Sequence, residues 1–328
     1  MLPPNITVPL LQVSEHLGLP PTATYPALNL WNCGLVQNGA DITNPENVVM
    51  RHTFTGSEDE SWFYAVSVSV EGKGVRSIQL MLDCVAAAED DDHDEVERCL
   101  TLFRAVIVDL AKILHRMHER CKPSVFYHQI RPFLAGSRNM EKAGLPRGIF
   151  YDEGTGKGSW RQYSGGSNAQ STLIQFLDIS LGVEHNPSTS TSSQQNISRE
   201  TYLKEMRKYM PLSHRLFLDH WTSRAKLRDY VQQENVPKSV SHAFDEAVDA
   251  MTAFRDEHTR IVARYIVVPS LDSAHGRPST CKNIASASTG RTSGSRDLKG
   301  TGGTSLMDFL KQTREETQAA RTHASVST

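Results

Sequence analysis

The chain has 328 residues, enough for a sizeable core in one or two domains, and a formal net charge of −2, which gives no electrostatic case for nucleic acid or an anionic membrane as partner. The five cysteines (Cys33, Cys84, Cys99, Cys121, Cys281) are scattered without a CxxC pair and fit reduced thiols in the cytoplasm. No basic-then-apolar leader opens the chain, and no apolar run reaches the ~18 residues that a membrane span needs.

Residues 1–24 are rich in proline and read as an extended lead-in with one short amphipathic piece at 8–17. Residues 25–36 form a short apolar segment, predicted helical and ended by Gly34 and Gly39. The stretch Trp62-Phe-Tyr-Ala-Val-Ser-Val-Ser-Val70 alternates and is β-branched, which favours a strand on local propensity. On a helix, Phe63 and Ser67 would share one face. The acidic run 89–95 reads as a solvated loop whose last members favour the start of a helix over 95–120. The stripe Val96, Leu100, Phe103, Ile107, Leu110 and Leu114 marks that helix as central to the core. It also carries His115 and His118, an H-x-x-H pair; zinc would need further ligands, and none is near in sequence.

Residues 144–166 read as a glycine-rich loop, 167–181 as an apolar helix, and 186–198 as a mobile low-complexity linker. Three helices are predicted over 200–210, 211–221 and 224–234. Residues 236–269 form an amphipathic helix of about eight turns, with Pro237 in its first turn and Phe244, Val248, Met251, Phe254, Val262 and Tyr265 on its apolar stripe. Residues 270–303, rich in Ser, Thr and Gly, read as a second mobile loop. A last helix over 306–320 opens on Ser305 and Asp308. The total is an all-α chain without βαβ alternation.

Two residues stand out chemically. His258 lies on the apolar stripe, where an imidazole could ligate a metal or a haem; on pattern alone, a core histidine bonded to a neighbour is commoner. Ser167, in Gly165-Gly-Ser167-Asn-Ala169, is a near miss to the G-x-S-x-G nucleophile elbow. A serine hydrolase would need a buried strand before it and a helix after.

Six stretches, in order and spread over nearly the whole chain, resemble the indoleamine 2,3-dioxygenase family. They are Leu2-Pro-Pro-Asn-Ile-Thr-Val-Pro9, Phe126-Tyr-His-Gln-Ile-Arg131-Pro-Phe-Leu-Ala-Gly136, Gly165-Gly-Ser167-Asn-Ala-Gln-Ser171, Met206-Arg-Lys-Tyr-Met-Pro211-Leu-Ser-His-Arg215, Arg255-Asp-Glu-His258 running on to Pro269, and Lys299-Gly-Thr301-Gly-Gly-Thr304-Ser-Leu-Met307. The resemblance implies a large helical haem-binding domain over 25–328, with 62–70 helical. It implies one haem b per chain and a monomer acting on L-tryptophan and O2 to give N-formylkynurenine, the first step of the kynurenine pathway. It makes His258 the proximal ligand of the haem iron, Arg255 the partner of a haem propionate, and Asp178 part of the haem-side polar network. Arg131 becomes the grip on the substrate carboxylate, and Phe126, Phe63, Ser67 and Tyr25 walls of the substrate pocket. Gly166 and Ser167 lie beside haem and substrate, and Thr301 on the segment that closes over substrate. Tyr127 stands where many relatives have phenylalanine, and Leu28 where some have cysteine. The family also carries a small helical domain ahead of its Asn-Ile-x-Val-Pro stretch, here at Asn5, so the resemblance implies apolar surface left uncovered. A non-catalytic haem or oxygen-binding relative is the alternative reading.

Overall fold

A computed structural model describes residues 1–186, 199–272, 300 and 305–322. Its centre is a pair of long helices, Glu58–Glu89 and His93–His115, joined by a three-residue turn that forces them antiparallel. Ser57 caps the first by accepting the Glu60 N–H at 3.2 Å, and Glu58, Asp59 and Glu60 add negative charge to its first turn. Asp92, from the acidic run, caps the second by accepting the Glu95 N–H at 3.1 Å. The Lys238–Val262 helix packs along His93–His115. Phe103, Ile107 and Leu110 of one and Phe244, Val248 and Met251 of the other are fully buried between them. Helices Thr172–Ser180 and Leu212–Arg224 close this core, with the Trp221 indole N–H donating to Ser180 Oγ at 3.0 Å.

The strand-like stretch is helical for a packing reason. Trp62, Tyr64, Ala65, Val66, Val68, Ser69 and Val70 are all buried, so the segment is enclosed on several faces and its alternation carries no strand information. The all-α class holds, and the only sheet among the described residues is two antiparallel ribbons. No described helix is long and apolar enough to cross a membrane.

Four local expectations need correction. The lead-in is not extended: Pro4–Leu17 is a helix. Pro4 sits where a missing N–H costs nothing, and Gly18, at φ 63°, ends the helix as the Leu19 N–H reaches back to Ser14 O at 2.9 Å. Residues 25–36 are helical only over Pro26–Leu30, after which Cys33–Leu35 pairs with Val48–Met50. The glycine-rich loop holds a hairpin, Ile149–Gly154 with Lys157–Arg161, turned at Thr155 and Gly156 with positive φ. The long C-terminal helix has Pro237 as its cap, runs regularly only to Val262 and widens over Ala263–Val267, because Pro269 cannot donate to the Tyr265 carbonyl four residues back. Residues 187–198 and most of 270–303, expected to be mobile, lie outside the described residues.

Candidate active site

Helix periodicity brings Phe63, Ser67 and Glu71 onto one face of Glu58–Glu89, a turn apart. That face lines a cavity of about 250 Å³ with largely apolar walls. Phe126 and Arg131 enter it from the irregular helical segment after Pro123, and Arg255 and His258 from the end of Lys238–Val262. Tyr25, Gly166, Ser167 and Asp178 complete the set. The cavity therefore gathers every residue that the resemblance assigns to haem or substrate except Thr301, which lies outside the described residues.

Two glycines explain how the Arg131 and Ser167 segments meet. A Cβ on Gly165 would lie 1.9 Å from Leu134 O, and one on Gly136 would lie 2.2 Å from Tyr163 O. Only bare backbone lets these strands of chain cross so closely, with the Ser137 N–H donating to Tyr163 O at 2.9 Å.

The walls are aromatic and tightly set. Phe63 meets Phe126 at 5.0 Å between ring centroids and 60°, and Phe126 meets Tyr265 at 5.8 Å and 85°. Arg131 is 1% exposed, and its guanidinium lies 5.7 Å from the centre of the Tyr127 ring. Ser67 Oγ donates to Phe63 O at 3.2 Å, which leaves its lone pairs for cavity contents. Ser167 has extended backbone, φ −147° and ψ 143°, and its Oγ accepts the Ala169 N–H at 3.3 Å. A nucleophile elbow needs a strained turn and an imidazole partner; Ser167 has extended backbone, and among the described residues no imidazole bonds its Oγ, so the hydrolase reading falls.

His258 faces the cavity. Burial first, and the nearby Arg255 charge second, push its pKa down to about 4, so the imidazole is neutral at physiological pH. Among the described residues neither ring nitrogen has a hydrogen-bond partner, in contrast to the bonded core histidine that pattern alone favoured. Arg255 Nη2 donates to Asp178 Oδ1 at 2.5 Å. Asp178 Oδ2 lies 3.3 Å from His185 Nε2, and His185 Nδ1 lies 2.7 Å from Glu316 Oε2, on the Leu306–Gln318 helix.

Comparison with known proteins decides the family. The indoleamine 2,3-dioxygenase family model matches residues 1–320. An indoleamine 2,3-dioxygenase of Saccharomyces cerevisiae is 42% identical over 334 residues, covering 97% of this chain and 72% of the relative. The chain belongs to the indoleamine 2,3-dioxygenase family. A human relative, indoleamine 2,3-dioxygenase 2, is 30% identical over 98% of this chain and 74% of its own length. A Fusarium equiseti relative, a 6-hydroxytryptophan 2,3-dioxygenase, is 36% identical over 96% of this chain and 74% of its own.

The cavity suits the haem that the family resemblance implies. His258 is its one imidazole among the described lining residues, too few donors for a bare ion but the right number for a group bringing its own equatorial ligands. Arg255 Nε is buried without a hydrogen-bond partner among the described residues, a donor left for an anionic group such as a propionate. Its Nη2 is held by Asp178 instead, which orients the guanidinium.

Sequence reasoning missed Glu71, although the Phe63–Ser67 spacing extended by one more turn points to it. Its Oε1 accepts from Ser171 Oγ at 2.6 Å and from the Tyr25 hydroxyl at 3.0 Å. Burial raises the Glu71 pKa, partly offset by these two donors, and the same burial raises that of Tyr25. A raised carboxyl pKa stabilises the fold below the unfolded value and costs stability as pH rises through the folded one. Glu71→Gln keeps one oxygen for both hydroxyls and removes that cost, so its melting temperature at pH 7 is expected to match or exceed wild type. Glu71→Ala strands two buried donors and is expected to lose about 2 kcal/mol or more. Equal melting of the two variants would refute the acceptor role.

His185 was also missed. Burial opposes its protonation, but the Asp178 and Glu316 carboxylates outweigh burial and push its pKa up to about 9. Its stabilising contribution is full below an unfolded histidine value near ~6.5 and is lost as pH rises through about 9. Thermal melts are expected to show wild type losing more stability between pH 7 and pH 10 than His185→Gln. Parallel pH dependence in the two proteins would remove His185 from this role.

Proposed function

We propose that this chain is a haem dioxygenase that inserts both atoms of O2 across the C2–C3 bond of the L-tryptophan indole. The product is N-formylkynurenine, opening the kynurenine route of tryptophan catabolism and NAD biosynthesis. The observation that carries this reading is a neutral His258 imidazole facing the same apolar cavity as Phe63, Phe126 and the buried Arg131, in a chain of this family. His258 would hold the iron of one haem b from the proximal side and Arg255 a propionate. Bound there, the haem supplies the oxygen chemistry that no side chain here offers.

The chain's own groups bind, orient and exclude water. Arg131 would take the substrate carboxylate through two parallel hydrogen bonds, which a lysine cannot reproduce. Phe126 and Phe63 would pack the indole, each stacked contact contributing about 0.5–1.5 kcal/mol beyond burial. Ser67 and Ser167 offer polar contacts at the cavity edge, and the Gly166 backbone allows close approach. No side chain is assigned as acid or base. The protein would act as a cytoplasmic monomer.

The test is purified, haem-supplemented protein incubated under air with reductant and L-tryptophan, with N-formylkynurenine followed by its absorbance. Formation of that product is the expected result. A haem spectrum that responds to tryptophan without product would make the chain a non-catalytic haem or oxygen-binding relative, and absence of haem uptake would refute both readings. The 6-hydroxytryptophan relative makes ring-hydroxylated tryptophan the second substrate to run.

A further inference from the structure

The H-x-x-H pair that lacked a third ligand in sequence finds one in the fold. Helix His93–His115 ends at His115, Arg116 bends the chain, and His118 follows in the turn Met117–Arg120. The bend sets the two imidazoles edge to face, 5.1 Å between centroids at 82°. Glu257, from the Lys238–Val262 helix, approaches them across the helix interface, with Oε1 2.8 Å from His115 Nδ1. One donor atom from each of the three residues lies within 4.8 Å of the others. A tetrahedral zinc with bonds of about 2.0–2.1 Å spaces its ligands roughly 3.3 Å apart, so a small rotation of side chains closes the set.

We propose that His115, His118 and Glu257 form a binding site for a zinc-class divalent cation, separate from the cavity. The donor chemistry selects the ion: two imidazoles and one carboxylate suit zinc, whereas calcium and magnesium take oxygen cages. Three protein ligands leave a fourth position for water. Outer partners that orient ligands are also present. Arg260 donates to Glu257 Oε2, holding the carboxylate while Oε1 faces the histidines. The Tyr265 hydroxyl, 2.7 Å from Cys121 O, sits 3.2 Å from His118 Nδ1. With its hydrogen given to the carbonyl, it accepts from Nδ1–H and fixes the tautomer with the lone pair on Nε2. The His115–Glu257 ion pair and the His118–Tyr265 hydrogen bond each account for part of the arrangement, whereas a cation accounts for donor atoms of all three residues converging. The site stands directly behind the cavity wall, since Tyr265 stacks on His118 at 5.5 Å and also packs against Phe126.

The test is zinc titration of the chelator-treated full chain against a chromophoric competing chelator. His115 is two-thirds exposed, with 67% side-chain accessibility, so His115→Ala is expected to fold, as its zinc-free melting temperature checks. The expected result is one zinc per chain, weakened at least about tenfold in both His115→Ala and Glu257→Gln, with no displacement by millimolar calcium or magnesium. Wild type that takes up no zinc, affinity unchanged in His115→Ala, or displacement by calcium would each overturn the proposal.

Discussion

His258→Ala is expected to abolish stable haem binding, with occupancy after desalting falling at least tenfold, or to leave a spectrum without the signature of a proximal histidine. The cavity has no second imidazole among its described lining residues to take over. The neutral state of His258 means that no proton has to be displaced for it to bind iron, so a large binding term disappears with the ring. Added imidazole can enter the space vacated and is expected to restore part of the spectrum. Unaltered haem content and spectrum in the variant would remove His258 from the proximal position.

Arg131→Ala is expected to keep haem and lose tryptophan. A hydrogen bond to a charged group contributes roughly 1.5–3 kcal/mol, about one to two decades of affinity. Because Arg131 is buried, lost packing has to be separated from lost charge. Spectral titration with L-tryptophan and with indole, which lacks the carboxylate, makes that separation. Weakening confined to tryptophan is the expected outcome, and equal weakening of both ligands would show that Arg131 acts through packing.

Phe126, Arg131, Gly166, Ser167, Arg255 and His258 were legible because they sit in short stretches with a recognisable order, and the structure brings those stretches to one place. The resemblance made 62–70 helical, which puts Phe63 and Ser67 on one face, and that spacing carried one turn further reaches Glu71, the buried acceptor of Tyr25 and Ser171. The Arg255–Asp178–His185–Glu316 chain was not legible as a unit. Its members come from three helices and a loop, and side-chain pairing across such distances leaves no local pattern. The same limit hid Glu257 from His115. Local errors had local causes. The proline-rich residues 1–24 read as an extended lead-in, yet Pro4 starts a helix, and the glycines near 154–158 read as loop, yet they turn a hairpin. In Trp62–Val70, burial on several faces overrode a strand-like alternation.

The crossing of Gly136 with Gly165 bears on how such a pocket can diversify. The spacing between the Arg131 and Ser167 segments is fixed by peptide atoms, so exchange of side chains elsewhere leaves that dimension alone, and any residue larger than glycine at the crossing forces the segments apart. Variation in pocket width is channelled instead to side chains that project from other walls. Leu28 is one: its Cδ1 would stand 2.6 Å from a Cβ on Gly166, so it fills the room that the glycine leaves. A smaller residue at position 28 enlarges the pocket next to Gly166 and Ser167 without moving backbone. Substrate range among chains with this crossing can thus drift one side chain at a time, while the geometry between the Arg131 and Ser167 segments stays inherited.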